Sequence, residues 1–446
     1  MDTPIADFVR RYAESSAARL HMPGHKGAGP LGCEALDITE IPGADVLYDD
    51  GEGIIARSEA NAAALFGSGA TFYSTEGSSL CIRAMLTMAL LRAGGQEGRP
   101  TVLAARNAHK TLLLAAAVLD VDIRWLWPER EEFSLCACPV TAEAVRRQLA
   151  EMAEPPIAVF VTSPDYLGGM LDIAAIAEAA HEYGVPLLVD NAHGAYLHFL
   201  GLHPMDLGAD LCCDSGHKTL PVLTGGAYLH VGKTAPAEFF AEARRCLSLF
   251  ASTSPSYLIL QSLDLANAAL AAEWPEQLKG RIEALKGLKG RLGAMGWLTA
   301  ESDPLKLTLR AADCGWNGPE LAEALRSRGI ACEYADPDFV VMMITPSNPA
   351  SDLYRLESAF SALSPRLPLE RPRLRMVPPR QTRTPRQAIL SAREILPVEK
   401  AVGRVLADPT VSCPPAVPVV VSGEVIAPDA LPIFARYGIT HVAVMR

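Results

Sequence analysis

Residues 185–194 read Val-Pro-Leu-Leu-Val-Asp-Asn-Ala-His-Gly, and residues 215–220 read Ser-Gly-His-Lys-Thr-Leu. The first stretch is an apolar run that ends in Asp190, as expected of a buried strand whose last residue is a carboxylate. The second stretch follows another apolar run and places Lys218 next to a histidine. A pyridoxal-phosphate site needs such a pair, because the carboxylate keeps the pyridine nitrogen protonated and the lysine carries the cofactor as a Schiff base.

The chain around these stretches alternates short apolar strands with helical segments. The predicted elements are strand 158–162, helix 174–183, strand 185–189, strand 209–213 and strand 226–231. Gly184 separates the helix from the strand that follows it, as a C-terminal helix cap does. This alternation predicts an α/β fold with a mostly parallel sheet. Ligands of such sheets bind at the carboxyl ends of strands, where Asp190 and Lys218 fall.

Composition limits the class of protein. The 446 residues are 49% hydrophobic and 20% charged, which fits a globular chain of two or three domains. A formal net charge of −11 argues against a nucleic-acid partner. The sequence has neither a signal-like segment among its first twenty residues nor an apolar run long enough for a bilayer, so we expect a cytoplasmic protein without membrane association. The ten cysteines form no CxxC pair, which predicts reduced thiols and no metal site.

A loop of small residues, 74–79, precedes the apolar helical run 80–91. It contains Gly77, Ser78 and Ser79. Such a loop at a helix N-terminus offers backbone N–H groups and hydroxyls to a phosphate. It lacks the Gly-Lys-Ser/Thr ending of a P-loop. Upstream of a sheet with the pyridoxal pattern, it is our candidate phosphate site.

Two histidines and one polar turn complete the candidates from residue patterns. His109 follows the apolar run 101–105, so its imidazole could stack on a pyridine ring at a strand end. His193 and the small Ala192 lie just after Asp190. A metal site formed by His109, His193 and Asp190 is an alternative, but no HxH or HExxH spacing supports it. The turn 252–257 is by itself a cluster of helix N-cap residues.

These motifs together resemble one family. The motifs are residues 21–27, 37–43, 106–110, 190–194, 215–220 and 252–257, and they occur in this order. The chain resembles the Orn/Lys/Arg decarboxylases of the fold-type-I pyridoxal-phosphate superfamily, in the short bacterial form without an N-terminal wing domain. The tail also resembles that family's C-terminal domain, at residues 403–405, 413–418 and 422–424.

The resemblance implies a fold and a domain division. It implies an aspartate-aminotransferase-like large domain with a mostly parallel seven-stranded sheet, followed by smaller C-terminal α/β domains. The pattern of strand-like and helical segments changes near residue 275, and a Pro/Arg-rich linker lies at 364–386. Both features support the domain boundaries. The predicted domains are an N-terminal arm (1–53), a cofactor-binding large domain (54–275), a small α/β domain (276–367) and a C-terminal decarboxylase-type domain (368–446).

The resemblance also implies site roles and a reaction. Pyridoxal 5′-phosphate would be the cofactor of a lyase that decarboxylates arginine, lysine or ornithine and so feeds polyamine metabolism. The implied catalytic residues are Lys218, His217, Asp190 and His109, with His109 stacking on the ring. Cofactor contacts would also come from Ala192, His193, Gly77, Ser78, Ser79, Ser215 and His217. Ser252, Thr253 and Ser254 would reach the phosphate of the neighbouring subunit's cofactor, which implies a homodimer.

Two departures from the family and several alternatives stay open at this point. The chain has Asn191 where the family often has glutamate, and Glu76 lies in the phosphate loop where asparagine is more usual. Alternatives are other pyridoxal-phosphate chemistry, such as an aminotransferase or lyase, and a non-catalytic cofactor-binding protein. An aminotransferase would hold the substrate carboxylate with an arginine, for which the candidates are Arg371, Arg373, Arg375 and Arg380. For a cationic substrate side chain the candidates are Asp45, Asp49, Asp50 and Glu52, and for the proton donor to Cα they are Lys218 and His217.

Overall fold

The structure is a computed structural model that describes residues 1–48, 51–94, 98–128, 137–301, 303–371, 377–410 and 418–446. Its large sheet contains β1 (Ala70–Ser74), β2 (Thr101–Ala105), β3 (Asp122–Leu126), β4 (Ala158–Thr162), β5 (Leu187–Asp190), β6 (Leu211–Asp214) and β7 (Ala227–Val231). The strand order is β1-β7-β6-β5-β4-β2-β3. The pairs β2–β3 and β5–β6 are parallel, whereas β7 is antiparallel to both of its neighbours. The predicted seven-stranded, mostly parallel sheet is therefore confirmed.

The central strands are near-continuous apolar runs because they are covered on both faces. Every residue of β5, β6 and β7 is buried. The polar residues within these runs are therefore buried as well, and among them are Asp190, Asp214 and His230. Buried polar groups need hydrogen-bond partners, so these three side chains indicate hydrogen-bond networks within the sheet.

Helices connect the strands. The first eight are α1 (Pro4–Glu14), α2 (Ile54–Leu65), α3 (Ser78–Ala93), α4 (Lys110–Leu119), α5 (Ala142–Glu151), α6 (Ile173–His181), α7 (Gly216–Thr219) and α8 (Ala237–Ser248). Those that follow are α9 (Tyr257–Leu270), α10 (Trp274–Ala294), α11 (Gly318–Arg326), α12 (Ala350–Ala362), α13 (Pro385–Ile389) and α14 (Leu431–Arg436). The sequence predicts a helix over about 4–19, but α1 ends at Glu14 because the backbone of Ser15 is extended. Within the described residues, none of the helices combines the length and the apolar character that a bilayer span requires.

The described residues of the last third of the chain form two smaller sheets. Strands β8 (Lys306–Leu309), β9 (Tyr334–Ala335) and β10 (Val340–Met343) form an antiparallel sheet in the order β8-β10-β9. It packs in a core that includes Leu288, Trp297 and Phe360, all at most 1% exposed. Strands β11 (Arg393–Pro397) and β12 (His441–Met445) form an antiparallel pair. This part of the chain therefore has the predicted α/β character.

The chain divides into two compact units. The first contains residues 1–100, 145–161 and 172–275, and the second contains residues 101–144, 162–171 and 276–446. The division into an arm and three domains stays a prediction. Part of the predicted linker is structured, since α13 starts with a capping box in which Thr384 and Gln387 bond reciprocally.

Candidate active site

Lys218 lies in the short helix α7, which starts two residues after β6 ends. Its Nζ is 3.1 Å from Nε2 of His193, the third residue after β5. The Lys218 side chain is half-buried and His193 is buried. Because β5 and β6 are parallel neighbours, the amine and the imidazole meet at the carboxyl ends of two adjacent strands. An imidazole at this distance can exchange a proton with the amine.

Asp190 is the last residue of β5 and is 3% exposed. Its Oδ1 accepts the Ala192 N–H at 3.2 Å and the Cys213 thiol at 3.7 Å. In the described part of the chain both hydrogen bonds to this carboxylate go to Oδ1, so Oδ2 can accept a further donor such as a pyridinium N–H. The carboxylate therefore fits the predicted partner of a pyridine ring nitrogen.

The candidate phosphate loop brings two hydroxyls together at the N-terminus of α3. Ser215 Oγ donates to Ser78 Oγ at 2.9 Å, which joins the segment that carries Lys218 to the first turn of the helix. Gly77 caps this helix with φ +72°, in the left-handed region that favours glycine. Its N–H donates to Gly225 O at 2.7 Å. Helix N–H groups with clustered hydroxyls are the donor set that a phosphate needs.

The Glu76 carboxylate has a hydrogen-bond donor in the structure. This exposed carboxylate accepts the backbone N–H of Ser252 through Oε1 at 2.6 Å. The contact connects the phosphate loop with the segment 252–254, whose three residues are exposed. The departure at Glu76 is thus accommodated by a backbone donor, and the reach of this segment to a neighbouring subunit stays a prediction.

His217 is anchored by the turn before β7. Its Nδ1–H and its backbone N–H both donate to Gly226 O, at 3.1 and 3.2 Å. Burial lowers the pKa of this imidazole, and the nearby Lys218 charge acts in the same direction against the opposing hydrogen bond to Gly226. His217 is therefore held as a neutral ring with its proton on Nδ1.

His109 belongs to the second compact unit. It is exposed and caps α4, where Nδ1 accepts the Thr111 N–H at 3.3 Å and lies 2.8 Å from the Thr111 hydroxyl. Since Nδ1 accepts, the proton of the neutral ring lies on Nε2. The stacking of this ring on a cofactor stays a prediction.

Arg106, three residues before His109, belongs to a buried ion pair that was not predicted from the sequence. The Arg106 guanidinium donates to both carboxylate oxygens of Glu424, at 2.7 and 2.8 Å, and neither residue is more than 1% exposed. The guanidinium also lies over the rings of Trp125 and Trp127, at 4.9 and 4.4 Å from their centroids. An arginine that directly follows an apolar strand was the available signal.

Several other candidates have ordinary structural partners. Asp45 accepts the Ile55 N–H at 2.6 Å and so caps α2, which favours a structural role over substrate binding. Arg371 pairs with Asp313 and Asp338 at 2.7 and 2.6 Å, so its guanidinium is already occupied within its own unit. Candidates that lie outside the described residues are Asp49, Asp50, Arg373, Arg375 and the tail motif residues 413–417.

Comparison with known proteins identifies the family. The family model described as "Orn/Lys/Arg decarboxylase, major domain" matches residues 3–291. The chain belongs to this family. The arginine decarboxylase of Bacillus subtilis (strain 168) is 29% identical over 460 residues, which cover 96% of this chain and 92% of that protein. The arginine decarboxylase of Halalkalibacterium halodurans is 30% identical, with the same coverage of both chains.

Solved structures show the same fold. The constitutive lysine decarboxylase of E. coli matches with a TM-score of 0.79 at 18% identity, over 100% of this chain and 82% of that one. Lysine decarboxylase A of Pseudomonas aeruginosa matches with a TM-score of 0.81 at 18% identity, over 97% and 75%. The predicted family and enzyme class are therefore confirmed: this is a basic amino-acid decarboxylase of a pyridoxal-phosphate-dependent family.

The loop that follows β4 contains a buried carboxylate, Asp165, that was not among the candidates predicted from the sequence. Asp165 accepts the Gly169 N–H through Oδ1 at 2.7 Å, and its backbone oxygen accepts from the buried Lys306 amine at 2.8 Å. Lys306 also pairs with Asp303 at 3.2 Å. Burial raises the pKa of Asp165 to about 6, although the Gly169 N–H and the Lys306 charge oppose this rise.

We expect Asp165→Asn to remove a pH-dependent loss of stability. Because the pKa of Asp165 in the folded chain lies above its ordinary value of 3.8, the folded state holds this proton more tightly, and stability falls as the pH rises from about 4 to about 6. The loss is at most about 3 kcal/mol, and asparagine avoids it while still accepting the Gly169 N–H. Urea unfolding at pH 5 and pH 8 measures the effect. Asp172→Asn, at an exposed helix N-cap, serves as the control. Equal pH dependence in Asp165→Asn and the wild type would contradict the prediction.

Proposed function

We propose that this protein decarboxylates arginine to agmatine and carbon dioxide with pyridoxal 5′-phosphate bound at Lys218. The observation that carries the proposal is the meeting of Lys218 and His193 beside the buried Asp190, at the carboxyl ends of β5 and β6. The choice of arginine rests on the curated relatives, whose names give that substrate and which match along almost the whole chain. Lysine and ornithine are the other members of the same substrate class.

The residues of the first unit fit the cofactor in three parts. Lys218 supplies the amine that holds it covalently, and Asp190 supplies a buried carboxylate for the ring nitrogen. Ser78, Ser215 and the N-terminus of α3 supply donors for the phosphate. To this set the proposal adds the contacts implied by the resemblance, including the stacking of His109. The bound cofactor supplies a conjugated cationic ring that takes up the electrons of the broken bond.

Side chains of this protein can control the protonation of the Lys218 amine. Lys218 must be neutral to act as a nucleophile, and the His193 ring at 3.1 Å can take or return its proton. Asp190 lies buried at the end of β5, where its carboxylate would keep the ring nitrogen protonated. His217 is held by Gly226 with its Nδ1 proton engaged, so His193 is better placed than His217 to exchange a proton with the Lys218 amine.

Product analysis tests the function. The cofactor-loaded protein is incubated separately with arginine, lysine and ornithine, and the amines are identified by mass spectrometry. We expect agmatine from arginine at a kcat/KM above that for the other two. Cadaverine or putrescine as the main product would correct the substrate, whereas a keto acid without carbon dioxide would overturn the decarboxylase proposal.

We further propose that the working unit is a cytoplasmic homodimer whose amine product enters polyamine metabolism. The exposed segment 252–254, tied to the phosphate loop through Glu76, supports a role at a shared site. Light scattering of the cofactor-loaded protein at micromolar concentration should give twice the chain mass of 47.6 kDa. A monomeric mass would contradict the homodimer.

A further inference from the structure

A chain of buried side-chain hydrogen bonds crosses four neighbouring strands of the large sheet. It runs from Thr71 on β1 through His230 on β7 and Asp214 on β6 to Asn191, the residue after β5. The Thr71 hydroxyl lies 2.8 Å from His230 Nδ1, and His230 Nε2 lies 3.2 Å from Asp214 Oδ2. Asn191 Nδ2 donates to Asp214 Oδ1 at 2.6 Å. His203 joins from the side, with Nε2 at 2.9 Å from Asp214 Oδ2.

Asp214 is the anion at the centre of this network. It is 0% exposed, and its two oxygens take three hydrogen bonds from side-chain nitrogens. Burial alone raises the pKa of Asp214, but the electrostatic attraction and hydrogen bonds of His203 and His230 outweigh it and hold the pKa well below its usual range. Burial lowers the pKa of His230. Asp214 is therefore held as an anion by three side-chain nitrogen donors.

The same three side chains could suggest a metal site, since the ligand atoms of His203, Asp214 and His230 lie within 4.8 Å of one another. The hydrogen bonds give a different assignment. The Met205 N–H donates to His203 Nδ1 at 3.2 Å, so the proton of the neutral ring lies on Nε2 and points at Asp214. A metal would need the Nε2 lone pair. The geometry is that of a hydrogen-bonded carboxylate.

The position of this network relates it to the proposed cofactor site. Asp190 pairs with Cys213 in the parallel β5–β6 ladder, so the next residues, Asn191 and Asp214, are also neighbours. Side chains alternate along a strand, so Asp190 faces one side of the sheet while Asn191 and Asp214 face the other. The Asn191–Asp214 bond thus ties the end of β5, which carries Asp190, to the end of β6, which precedes the helix α7 that carries Lys218.

We propose that Asn191 and Asp214 are positioning residues, and that the buried carboxylate at 214 requires a neutral donor at 191. The inference rests on the proposed cofactor site and explains the departure at 191. A carboxylate at that position would face Asp214 at hydrogen-bond distance, where two anions repel strongly in a buried environment. Asparagine instead donates a bond and fixes the spacing of the strand ends.

A charge-swap series tests the proposal. The variants are Asn191→Asp, Asn191→Glu, Asp214→Asn and the double variant Asn191→Asp/Asp214→Asn. In the double variant the amide introduced at position 214 accepts from both imidazoles through its oxygen and donates from its nitrogen to the new carboxylate, which preserves the charge and reverses one hydrogen bond. We measure the apparent Kd for pyridoxal phosphate from the absorbance of the lysine–cofactor adduct, kcat and KM, and the urea midpoint of the cofactor-free protein.

We expect Asn191→Asp and Asn191→Glu to raise the cofactor Kd at least about tenfold and to lower kcat with little change in KM. The double variant should recover most of both losses. Ser58→Ala is the matched control, because it breaks a separate buried network with Tyr73 and Asp264 in the same unit. It should lower the urea midpoint and leave the cofactor Kd unchanged.

Four outcomes overturn the inference. Asn191→Asp with wild-type cofactor affinity would show that no neutral donor is needed. If Asn191→Asp lowered the urea midpoint but left the cofactor Kd unchanged, as expected of Ser58→Ala, Asn191 would have only a structural role. If the double variant bound the cofactor no more tightly than Asn191→Asp, repulsion between positions 191 and 214 would not be the cause of the weaker binding. A wild-type protein that forms no adduct would overturn the proposed cofactor site together with this inference.

Discussion

Lys218→Ala is expected to abolish formation of the covalent cofactor adduct and to lower amine production by at least about a thousandfold. Alanine has no amine to attack the cofactor aldehyde, and it removes the partner of His193 Nε2. Asp190, Ser78 and Ser215 remain in place, so the variant should still bind pyridoxal phosphate without the absorbance band of the adduct. Absorbance spectroscopy and product mass spectrometry measure the two losses separately.

Two further variants distinguish the nucleophilic role of the Lys218 amine from the effect of its charge and from the effect of removing any lysine. Lys218→Arg keeps the positive charge but offers no neutral amine near pH 7, so it should be as inactive as Lys218→Ala. Lys233→Ala changes an exposed lysine shortly after β7 and should behave as the wild type. Activity retained in Lys218→Ala would refute the whole assignment. Activity in Lys218→Arg alone would show that the charge matters and the nucleophile does not.

Local patterns were enough to predict the parts of the fold and site that depend on neighbouring residues. The strand predicted over residues 158–162 coincides with β4 at both ends. A short apolar run with β-branched residues, bounded by polar turns, favours a buried strand over other structures. Asp190 could be selected because it directly follows an apolar run, and Lys218 because it lies beside a histidine a few residues after the next predicted strand. The resemblance implies that Ser78 and Ser215 both lie near the phosphate; their hydroxyls are hydrogen-bonded in the structure although 137 residues separate them, and the contact with a phosphate stays a prediction.

Interactions between distant residues could not be predicted in this way. Asp214 and His230 are hidden within apolar strands, and the sequence does not say which buried polar groups will face one another across the sheet. The contact between His193 and Lys218 could not be predicted, because it depends on where the Lys218 side chain ends. Arg106 and Glu424 are 318 residues apart, and no local pattern relates them. Packing decides these pairings, and packing is a property of the folded chain.

The Arg106–Glu424 pair is expected to be among the most costly interactions to break. Glu424→Gln should lower the free energy of unfolding by about 3–5 kcal/mol, because it leaves a buried guanidinium without its counter-charge. Glutamine offers one oxygen where the carboxylate accepts two N–H groups. The bond from Arg106 Nε to Pro418 O and the faces of Trp125 and Trp127 compensate only in part. Urea unfolding followed by tryptophan fluorescence measures the loss.

An exposed pair in the same unit supplies the control. Glu320 and Arg366 form an ion pair at 2.9 Å with both side chains half exposed, so Glu320→Gln should cost no more than about 1 kcal/mol. High salt should reduce the small effect of Glu320→Gln and leave that of Glu424→Gln almost unchanged, because a buried pair is poorly screened. Equal losses in the two variants would contradict the assignment of Glu424 as the counter-charge of a buried cation.

A double variant separates the charge from the packing. Arg106→Met/Glu424→Leu removes both charges and refills the space with apolar side chains, so it should be more stable than Glu424→Gln even though it differs more from the wild type. The reason is that the single variant retains a desolvated charge and the double variant retains none. A double variant less stable than Glu424→Gln would mean that the shape and hydrogen bonds of Arg106, including those to Pro418 O and Val419 O, matter more than its charge.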